Sequence, residues 1–230
     1  MSGTTIEVLV HTSGAASRQT ITLRRLVIAG WTGRDPVARD KHIAELEELG
    51  IARPATTPIY YETAASRLTT SDSIEVSGGE SSGEVEFVLV KSGGRLLVGV
   101  GSDHTDRKVE TYNITVSKQM CDKPIAPELW LVDEVAAHWD RLMLRAYATI
   151  GGERVLYQEG ALSGMLAPAD LIARRYGDAG LPEGTAMFGG TFAALGGIRP
   201  AERFEFELSD PVLNRVIRHG YAIEPLAIAG

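Results

Sequence analysis

The chain of 230 residues is poor in cysteine, in basic residues and in long apolar runs. Because Cys121 is the one cysteine, the chain cannot form an internal disulfide, and a thiolate metal site would lack a second cysteine ligand. No run of about 18 apolar residues is present, so the sequence predicts no transmembrane helix. The first residues lack the basic and long apolar segments of a secretion signal, and we therefore expect a cytoplasmic protein.

Acidic residues outnumber basic ones, with 30 Asp and Glu against 23 Lys and Arg and a formal net charge of -7. This balance disfavours binding to nucleic acid or to anionic membranes, and we expect neither partner. Hydrophobic residues make up 44% of the chain and 25 residues are glycine, as is typical of a globular protein with many tight turns. We expect a single domain over residues 1–230 and a small-molecule ligand.

The apolar pattern is mainly that of β-strands. Residues 5–11 and 20–28 are rich in β-branched side chains and flank the turn cluster SGAAS, which predicts a strand pair over about residues 1–30. Residues 84–103 predict a hairpin with its turn at KSGG, and the segments GGERVLYQEG, ERFEFEL and VLNRVIRHG predict further strands. Residues 112–118, YNITVSK, also have the composition of a strand.

Three segments have apolar residues at helical spacing. Residues 36–49 predict an amphipathic helix that begins after Asp35 and stops at Gly50. Residues 129–147 predict a core helix, and the segment APADLIARRYG predicts a shorter one with proline in its first turn. The expected fold class is therefore α+β, rich in strands and with a few short helices.

Three carboxylates lie in the predicted hairpin, namely Glu84, Glu86 and Asp103. Side chains alternate along a strand, so Glu84 and Glu86 point to the same face. Such a pair is either the solvated face of an edge strand or part of a divalent cation site, and the spacing leaves both open. Three carboxylates supply hard oxygen ligands, which favour Mg2+ or Mn2+ over zinc. His104 is a further candidate ligand, although adjacent residues on an extended segment diverge and Asp103 alone is favoured.

Two other segments carry candidate functional groups. His42 and Glu45 are three residues apart on the predicted helix, so they share a face and form either a hydrogen-bonded pair or two solvated side chains. Residues 184–197 are rich in glycine, which lets backbone N–H groups approach an anionic ligand closely.

The order of these motifs resembles that of the fumarylacetoacetate hydrolase superfamily over about residues 34–218. The E-x-E metal motif of that family looks like Glu84 and Glu86 in SGEVEFVLV. Its N-D-x-[ST]-x-R motif looks like SDHTDR, which implies a third ligand at Asp103. The H-x-x-E on the lid helix of the family is similar to His42 and Glu45, and implies that this pair activates water.

Later segments extend the resemblance. The A-K-x-x-D motif of the family looks like SKQMCD and implies a substrate-contacting lysine at Lys118. The T-G-T-P-x-G-V-G loop looks like GGTFAALGG, which implies that Gly190 and Thr191 bind the substrate carboxylate. Phe192 stands where proline is usual and changes the shape of the pocket. Arg107 matches the arginine of the family, as either a substrate contact or a structural ion pair.

The resemblance implies a mixed β-sandwich or roll that binds Mg2+ or Mn2+, with Ca2+ as a further option, and that forms a homodimer. The implied activity is hydrolysis of a C–C or related bond in a small 2-oxo or 2,4-dioxo carboxylic acid through a metal-stabilised enolate. The alternatives are a decarboxylase, isomerase or hydratase on the same site, and a non-catalytic metal-dependent binding domain. A closer resemblance is to short bacterial members known only as a domain of unknown function, and it names no reaction.

Overall fold

The computed structural model describes residues 3–37, 40, 43–44, 47 and 53–229. The strands, in chain order, are β1 (Thr4–Thr12), β2 (Ala15–Leu23), β3 (Arg25–Gly30), β4 (Ile59–Thr63), β5 (Leu68–Thr69), β6 (Ser73–Ser77), β7 (Ser81–Ser82), β8 (Val85–Ser92), β9 (Arg95–Ser102), β10 (Thr105–Asp106), β11 (Lys123–Pro124), β12 (Glu128–Leu131), β13 (Met143–Ile150), β14 (Glu153–Ala161), β15 (Thr185–Phe188), β16 (Arg203–Asp210) and β17 (Arg215–Leu226). The α-helices whose bounds lie within the described residues are α1 (Arg107–Glu110), α2 (Ile114–Gln119), α3 (Val132–Val135) and α4 (Pro168–Tyr176). Single turns of 3-10 helix cover Ala65–Arg67, Leu162–Gly164 and Gly177–Ala179, and a longer one covers Ala136–Arg141.

Two large sheets form the framework. The first has eight strands in the order β2-β1-β12-β9-β8-β15-β3-β4, and the second has five in the order β14-β13-β16-β17-β6. Near the middle of the first sheet, β8 and β9 form the hairpin predicted over residues 84–103, which is confirmed. Gly93 and Gly94 make its turn with φ of 58° and 73°, a conformation that glycine adopts without strain.

Strand β8 is buried on both faces. Phe87 and Leu89 belong to the apolar cluster that also contains side chains of the second sheet, whereas Val88 and Val90 belong to a cluster built from strands of the first sheet. The first sheet is curled, so its strands enclose the second cluster on the face opposite the five-stranded sheet. The hairpin therefore lies in the interior, and polar groups at its open end are shielded from water.

Several predicted elements are confirmed. The N-terminal strand pair is β1 and β2, although the predicted second strand over residues 20–28 is divided at Arg24 between the end of β2 and β3. The late strands are β14, β16 and β17. Helix α4 begins with Pro168 and ends at Tyr176, and Gly177 follows it with φ of 57°. The fold class is confirmed, since the chain is mostly β with a few short helices. In the part of the chain that is described, no helix is long and apolar enough to cross a membrane.

Two predicted elements are wrong. Residues 129–147 are not one helix, because the segment runs from β12 through α3 and a 3-10 turn into β13, with His138 at φ −132° breaking the helical path. The apolar residues of this segment fall at helical spacing because its short helical turns and the strands joined to them each bury apolar side chains. Residues 112–118 are not a strand, since α2 covers most of them. The side chain of Asn113 accepts a hydrogen bond from the Val116 N–H at 3.0 Å, and this N-cap outweighs the β-branched composition.

Candidate metal centre

The hairpin brings the three predicted carboxylates together. Glu84 lies just before β8, Glu86 lies on β8, and Asp103 follows β9, and one oxygen from each lies within 4.8 Å of the others. The Asp103 N–H donates to the Glu84 carbonyl oxygen at 2.9 Å, which closes the open end of the hairpin. Glu86 is 2% exposed and Asp103 is 0% exposed, so the alternative of a solvated edge-strand face is wrong.

Asp103 is surrounded by two ammonium groups. Lys118, on α2, places Nζ 2.5 Å from Asp103 Oδ2 and 3.3 Å from Glu84 Oε2. Lys123, on β11, places Nζ 3.1 Å from Asp103 Oδ1. Burial acts to raise the pKa of Asp103, but the charges of Lys118 and Lys123 outweigh it and lower that pKa. The Asp103 carboxyl group is therefore ionised in the folded protein.

Glu84 is held by a third cation. Arg107 Nη2 lies 3.0 Å from Glu84 Oε1, while its other nitrogens bind Glu110 Oε2 at 2.8 Å and Ser82 Oγ at 2.7 Å. Burial acts to raise the pKa of Glu84, and the charges of Lys118 and Arg107 reverse this to a lowered pKa. Arg107 thus forms the structural ion pair that was one of its two predicted roles.

Glu86 has a different environment. Its Oε2 accepts a hydrogen bond from the Gly190 N–H at 2.7 Å, and no lysine or arginine of the described residues lies within ion-pair distance. Burial, followed by the charges of Asp103 and Glu84, holds the pKa of Glu86 well above its usual value. Gly190 has φ of 102°, and a Cβ there would lie 1.9 Å from Thr32 Oγ1, so this contact requires glycine.

Comparison with protein families gives a match over residues 29–221, to the model DUF2848, described as a protein of unknown function. The chain belongs to the DUF2848 family. A search of curated protein sequences finds no match.

Solved structures share the fold of this DUF2848 protein. A yeast protein of the fumarylacetoacetate hydrolase family is 18% identical, with a TM-score of 0.61 over 88% of this chain and 94% of that one. A 5-carboxymethyl-2-hydroxymuconate delta-isomerase from Mycobacterium smegmatis is 13% identical, with a TM-score of 0.64 over 94% and 85% of the two chains. A 2-keto-3-deoxy-D-arabinonate dehydratase, complexed with magnesium and 2,5-dioxopentanoate, is 14% identical, with a TM-score of 0.63 over 92% and 77%.

The donor set of the DUF2848 protein fits a divalent cation of the Mg2+ or Mn2+ class. Three carboxylates provide hard oxygen atoms within 4.8 Å of one another. The raised pKa of Glu86, which burial and its two acidic neighbours cause, marks a carboxylate that lacks positive charge. His104 does not add to this set, since its Nδ1 lies 2.8 Å from the Tyr221 hydroxyl and its Nε2 lies 2.8 Å from Ser81 Oγ.

His104 is buried as a neutral group beside the carboxylates. Burial, with the charges of Lys123 and Arg107, lowers its pKa to about 3. The Tyr221 hydroxyl, which it contacts, also lies 2.8 Å from Ser102 Oγ, and Ser102 Oγ accepts the Glu84 N–H at 3.2 Å. The imidazole thus belongs to a hydrogen-bonded chain that supports the backbone of Glu84.

The remaining predicted residues have separate outcomes. His42 and Glu45 lie outside the described residues, as does most of the predicted helix 36–49. The Thr191 hydroxyl donates to the Val85 carbonyl oxygen at 2.8 Å, so it faces the protein beside the E-x-E pair. Lys123 was missed, because CDKP has the composition of an ordinary loop and gives no local sign that its lysine is buried.

Proposed function

We propose that this DUF2848 protein is a divalent-metal-dependent enzyme that hydrolyses a C–C or related bond in a small 2-oxo or 2,4-dioxo carboxylic acid. The convergence of Glu84, Glu86 and Asp103 within 4.8 Å, in the interior of the fold, carries the proposal. The shared fold with a dehydratase complexed with magnesium and 2,5-dioxopentanoate supports both the metal and the substrate class.

The three carboxylates would hold Mg2+ or Mn2+, with Ca2+ as a further option. A bound divalent cation supplies Lewis-acid stabilisation of enolate charge that develops on a 2-oxo group. Lys118, which is 6% exposed and has a positive charge fixed beside Asp103, would orient the anionic groups of the substrate. His42, oriented by Glu45, would take a proton from the attacking water, as suits an imidazole near neutral pH.

Gly190, Thr191 and Arg107 complete the substrate site in this proposal. Each is already bonded to the E-x-E segment, through Glu86, Val85 and Glu84 respectively. A substrate carboxylate bound by residues 190–191 would therefore lie against the segment 84–86, which carries two of the metal ligands.

Dehydratase or isomerase chemistry on the same site is the second candidate, since proteins of both activities share the fold. Decarboxylation needs the same stabilised carbanion and belongs to this group. Replacing His42 by alanine separates the two candidates. Loss of hydrolysis with retained exchange of the substrate α-protons indicates a hydrolase, whereas retained turnover indicates a tautomerising enzyme that does not use His42.

The first experiment is thermal melting in EDTA, Mg2+ and Mn2+. A metal bound to the folded state at a hundredfold excess over Kd stabilises by about 2.7 kcal/mol, which raises the melting temperature by roughly 5–10 °C. The variant Glu84→Ala/Glu86→Ala should lose this shift, and the control Glu75→Ala/Glu153→Ala, which removes two exposed carboxylates, should keep it. If neither metal shifts the parent protein, the metal site is wrong.

Turnover is tested next on acylpyruvates and oxaloacetate-like acids with Mg2+. Release of pyruvate together with a carboxylic acid from an acylpyruvate supports hydrolysis, whereas release of pyruvate and CO2 from an oxaloacetate-like acid supports decarboxylation. A metal-dependent melting shift without turnover of any of these acids supports the non-catalytic binding domain instead.

We further propose that the chain is one domain over residues 1–230, from the short bacterial branch of the family, and acts in the cytoplasm as a homodimer. The single domain is supported by the apolar cluster that the two large sheets share. Size-exclusion chromatography with light scattering tests the dimer.

A further inference from the structure

We propose that Gln158 is a positioning residue for the metal centre, a role that rests on the proposed function. Gln158 is 2% exposed and comes from β14, in the second sheet, far in sequence from the carboxylates. Its amide binds Val85, the residue between Glu84 and Glu86, and also binds the loop at Thr191 and Phe192.

The backbone of Val85 needs partners that the sheet does not supply. In the hairpin, the hydrogen bond from Asp103 N–H to the Glu84 carbonyl makes Val85 and Ser102 a non-bonded pair, so the polar groups of Val85 face away from β9. On that side β15 pairs with β8 only as far as Phe188 and Val88, followed by one bond from Gly189 N–H to the Phe87 carbonyl. The ladder therefore ends before it reaches Val85.

Side chains replace the missing strand. The Val85 N–H donates to Gln158 Oε1 at 2.9 Å, and the Val85 carbonyl accepts from the Thr191 hydroxyl at 2.8 Å. Gln158 Nε2 donates to Thr191 Oγ1 at 2.8 Å and to the Phe192 carbonyl at 2.5 Å. Because Val85 N–H can only donate and the Phe192 carbonyl can only accept, they fix the orientation of the Gln158 amide.

A β-bulge directs Gln158 to this place. Along β13, Ala146 pairs with Gln158 and Tyr147 pairs with Leu156, so Tyr157 is the extra residue. Adjacent side chains normally alternate between faces, but here Tyr157 and Gln158 are both buried, at 1% and 2% exposure. Without the bulge the Gln158 amide would face outward, and with the bulge it points into the gap beside Val85.

The consequence is a link between the two halves of the proposed site. Gln158 binds the backbone of Val85, which lies between the ligands Glu84 and Glu86, and it also binds the loop at Phe192. The same loop donates the Gly190 N–H to Glu86, so Gln158 holds together the ligand segment and the loop that contacts one ligand. Side chains that orient metal ligands from outside commonly change metal affinity by roughly 10–100-fold when they are replaced. Gln158 should do so without touching the cation.

The test is the Kd for Mn2+, measured by titration calorimetry and by the electron paramagnetic resonance of free Mn2+, at a temperature where every variant is folded. Gln158→Met keeps the length of the side chain and removes its hydrogen bonds. We expect its Kd to rise at least tenfold. The matched control is Tyr157→Phe, which removes the buried hydroxyl that accepts the Arg199 N–H at 3.0 Å, in the same bulge but away from Val85. It should lower the melting temperature and leave the Kd unchanged.

A second variant keeps the proposal testable if Gln158→Met does not fold. Thr191→Val removes the other hydrogen bond to Val85, and it should raise the Kd in the same direction. In the double variant the two effects should not add, because both residues act on the same peptide unit. Unchanged Mn2+ affinity in Gln158→Met or Thr191→Val would overturn the positioning role. If the parent protein binds no Mn2+, the proposed metal site itself fails.

Discussion

Asp103 and Glu86 are two buried carboxylates of the same cluster, and they are held in opposite ways. Asp103 has the Lys118 and Lys123 ammonium groups within 3.1 Å, whereas Glu86 has one backbone N–H at 2.7 Å. Burial alone acts to raise the pKa of both groups, yet the pKa of Asp103 is lowered and that of Glu86 is raised. Nearby cations, rather than burial, therefore decide which carboxylate is ionised.

This difference divides the cluster into a cationic half, Asp103 and Glu84 with their lysine and arginine partners, and an uncompensated half, which is Glu86. The cationic half already contains positive charge. A divalent cation bound there must share the carboxylate oxygens of Asp103 and Glu84 with Lys118. Among the described residues, no lysine or arginine forms an ion pair with Glu86. The comparison predicts that substitutions in the two halves have different signs as well as different sizes.

The largest effect is expected for Asp103→Asn in the metal-free protein. This change leaves Lys123, which is 0% exposed, without its carboxylate partner, and breaking a buried ion pair from one side costs about 3–5 kcal/mol. Chemical denaturation in EDTA measures the loss. Asp122→Asn removes the same charge from a partly exposed pair with Arg67 and should cost less than about 1 kcal/mol. Equal losses in the two variants would mean that the buried Asp103–Lys123 pair contributes no more than an exposed one.

The second prediction is that Lys118→Met tightens the binding of Mn2+. Two unit charges at about 4 Å interact by about 4 kcal/mol at an effective dielectric constant near 20, so removing the ammonium group should lower the Kd at least tenfold, about 1.4 kcal/mol. Titration calorimetry measures the affinity directly, without turnover. Lys108→Met, an exposed lysine of α1, changes the net charge equally and should bind as the parent does. Weaker binding in Lys118→Met alone would mean that Lys118 supports the cation site.

The metal ligands themselves could be predicted from the sequence because their arrangement is local. Alternation along β8 fixes the relation of Glu84 to Glu86, and a tight glycine turn returns β9 so that Asp103 meets them. These features depend on residues close in sequence, with period-two spacing and turn chemistry that can be read directly.

The surrounding groups could not be predicted, since they depend on long-range packing. Lys123 and Tyr221 reach the cluster only after β11 and β17 take their places, and no pattern in CDKP or in the last strand indicates this. Gln158 depends on a bulge that breaks the alternation of β14, so a period-two pattern would place it on the wrong face. The helix α2, which carries Lys118, was not predicted, because the β-branched residues that follow the Asn113 cap favour a strand.

The smallest expected effect concerns pH and compares Glu86→Gln with Glu84→Gln in EDTA. The folded-state pKa of Glu86 lies above its unfolded value, so its contribution to stability is full below the unfolded pKa of about 4.3 and is lost as pH rises through the folded pKa. Glutamine does not titrate and can still accept the Gly190 N–H. Glu86→Gln should therefore gain stability relative to the parent as pH rises from about 5 to 8.

For Glu84→Gln, we expect the opposite change of stability relative to the parent as pH rises. The folded-state pKa of Glu84 is lowered, so its ionised form stabilises the parent above the unfolded pKa, and this contribution is lost as pH falls through the folded pKa. Glu84→Gln should thus be less stable than the parent at pH 8, and the difference should shrink in acid. Free energies of unfolding from urea denaturation at several pH values measure both. Between pH 5 and 8 the difference between Glu84→Gln and the parent should stay constant, because both the unfolded and the lowered folded pKa lie below this range. If Glu84→Gln instead gains stability over this range as Glu86→Gln does, the cations beside Glu84 do not control its ionisation, and the two halves are electrostatically alike.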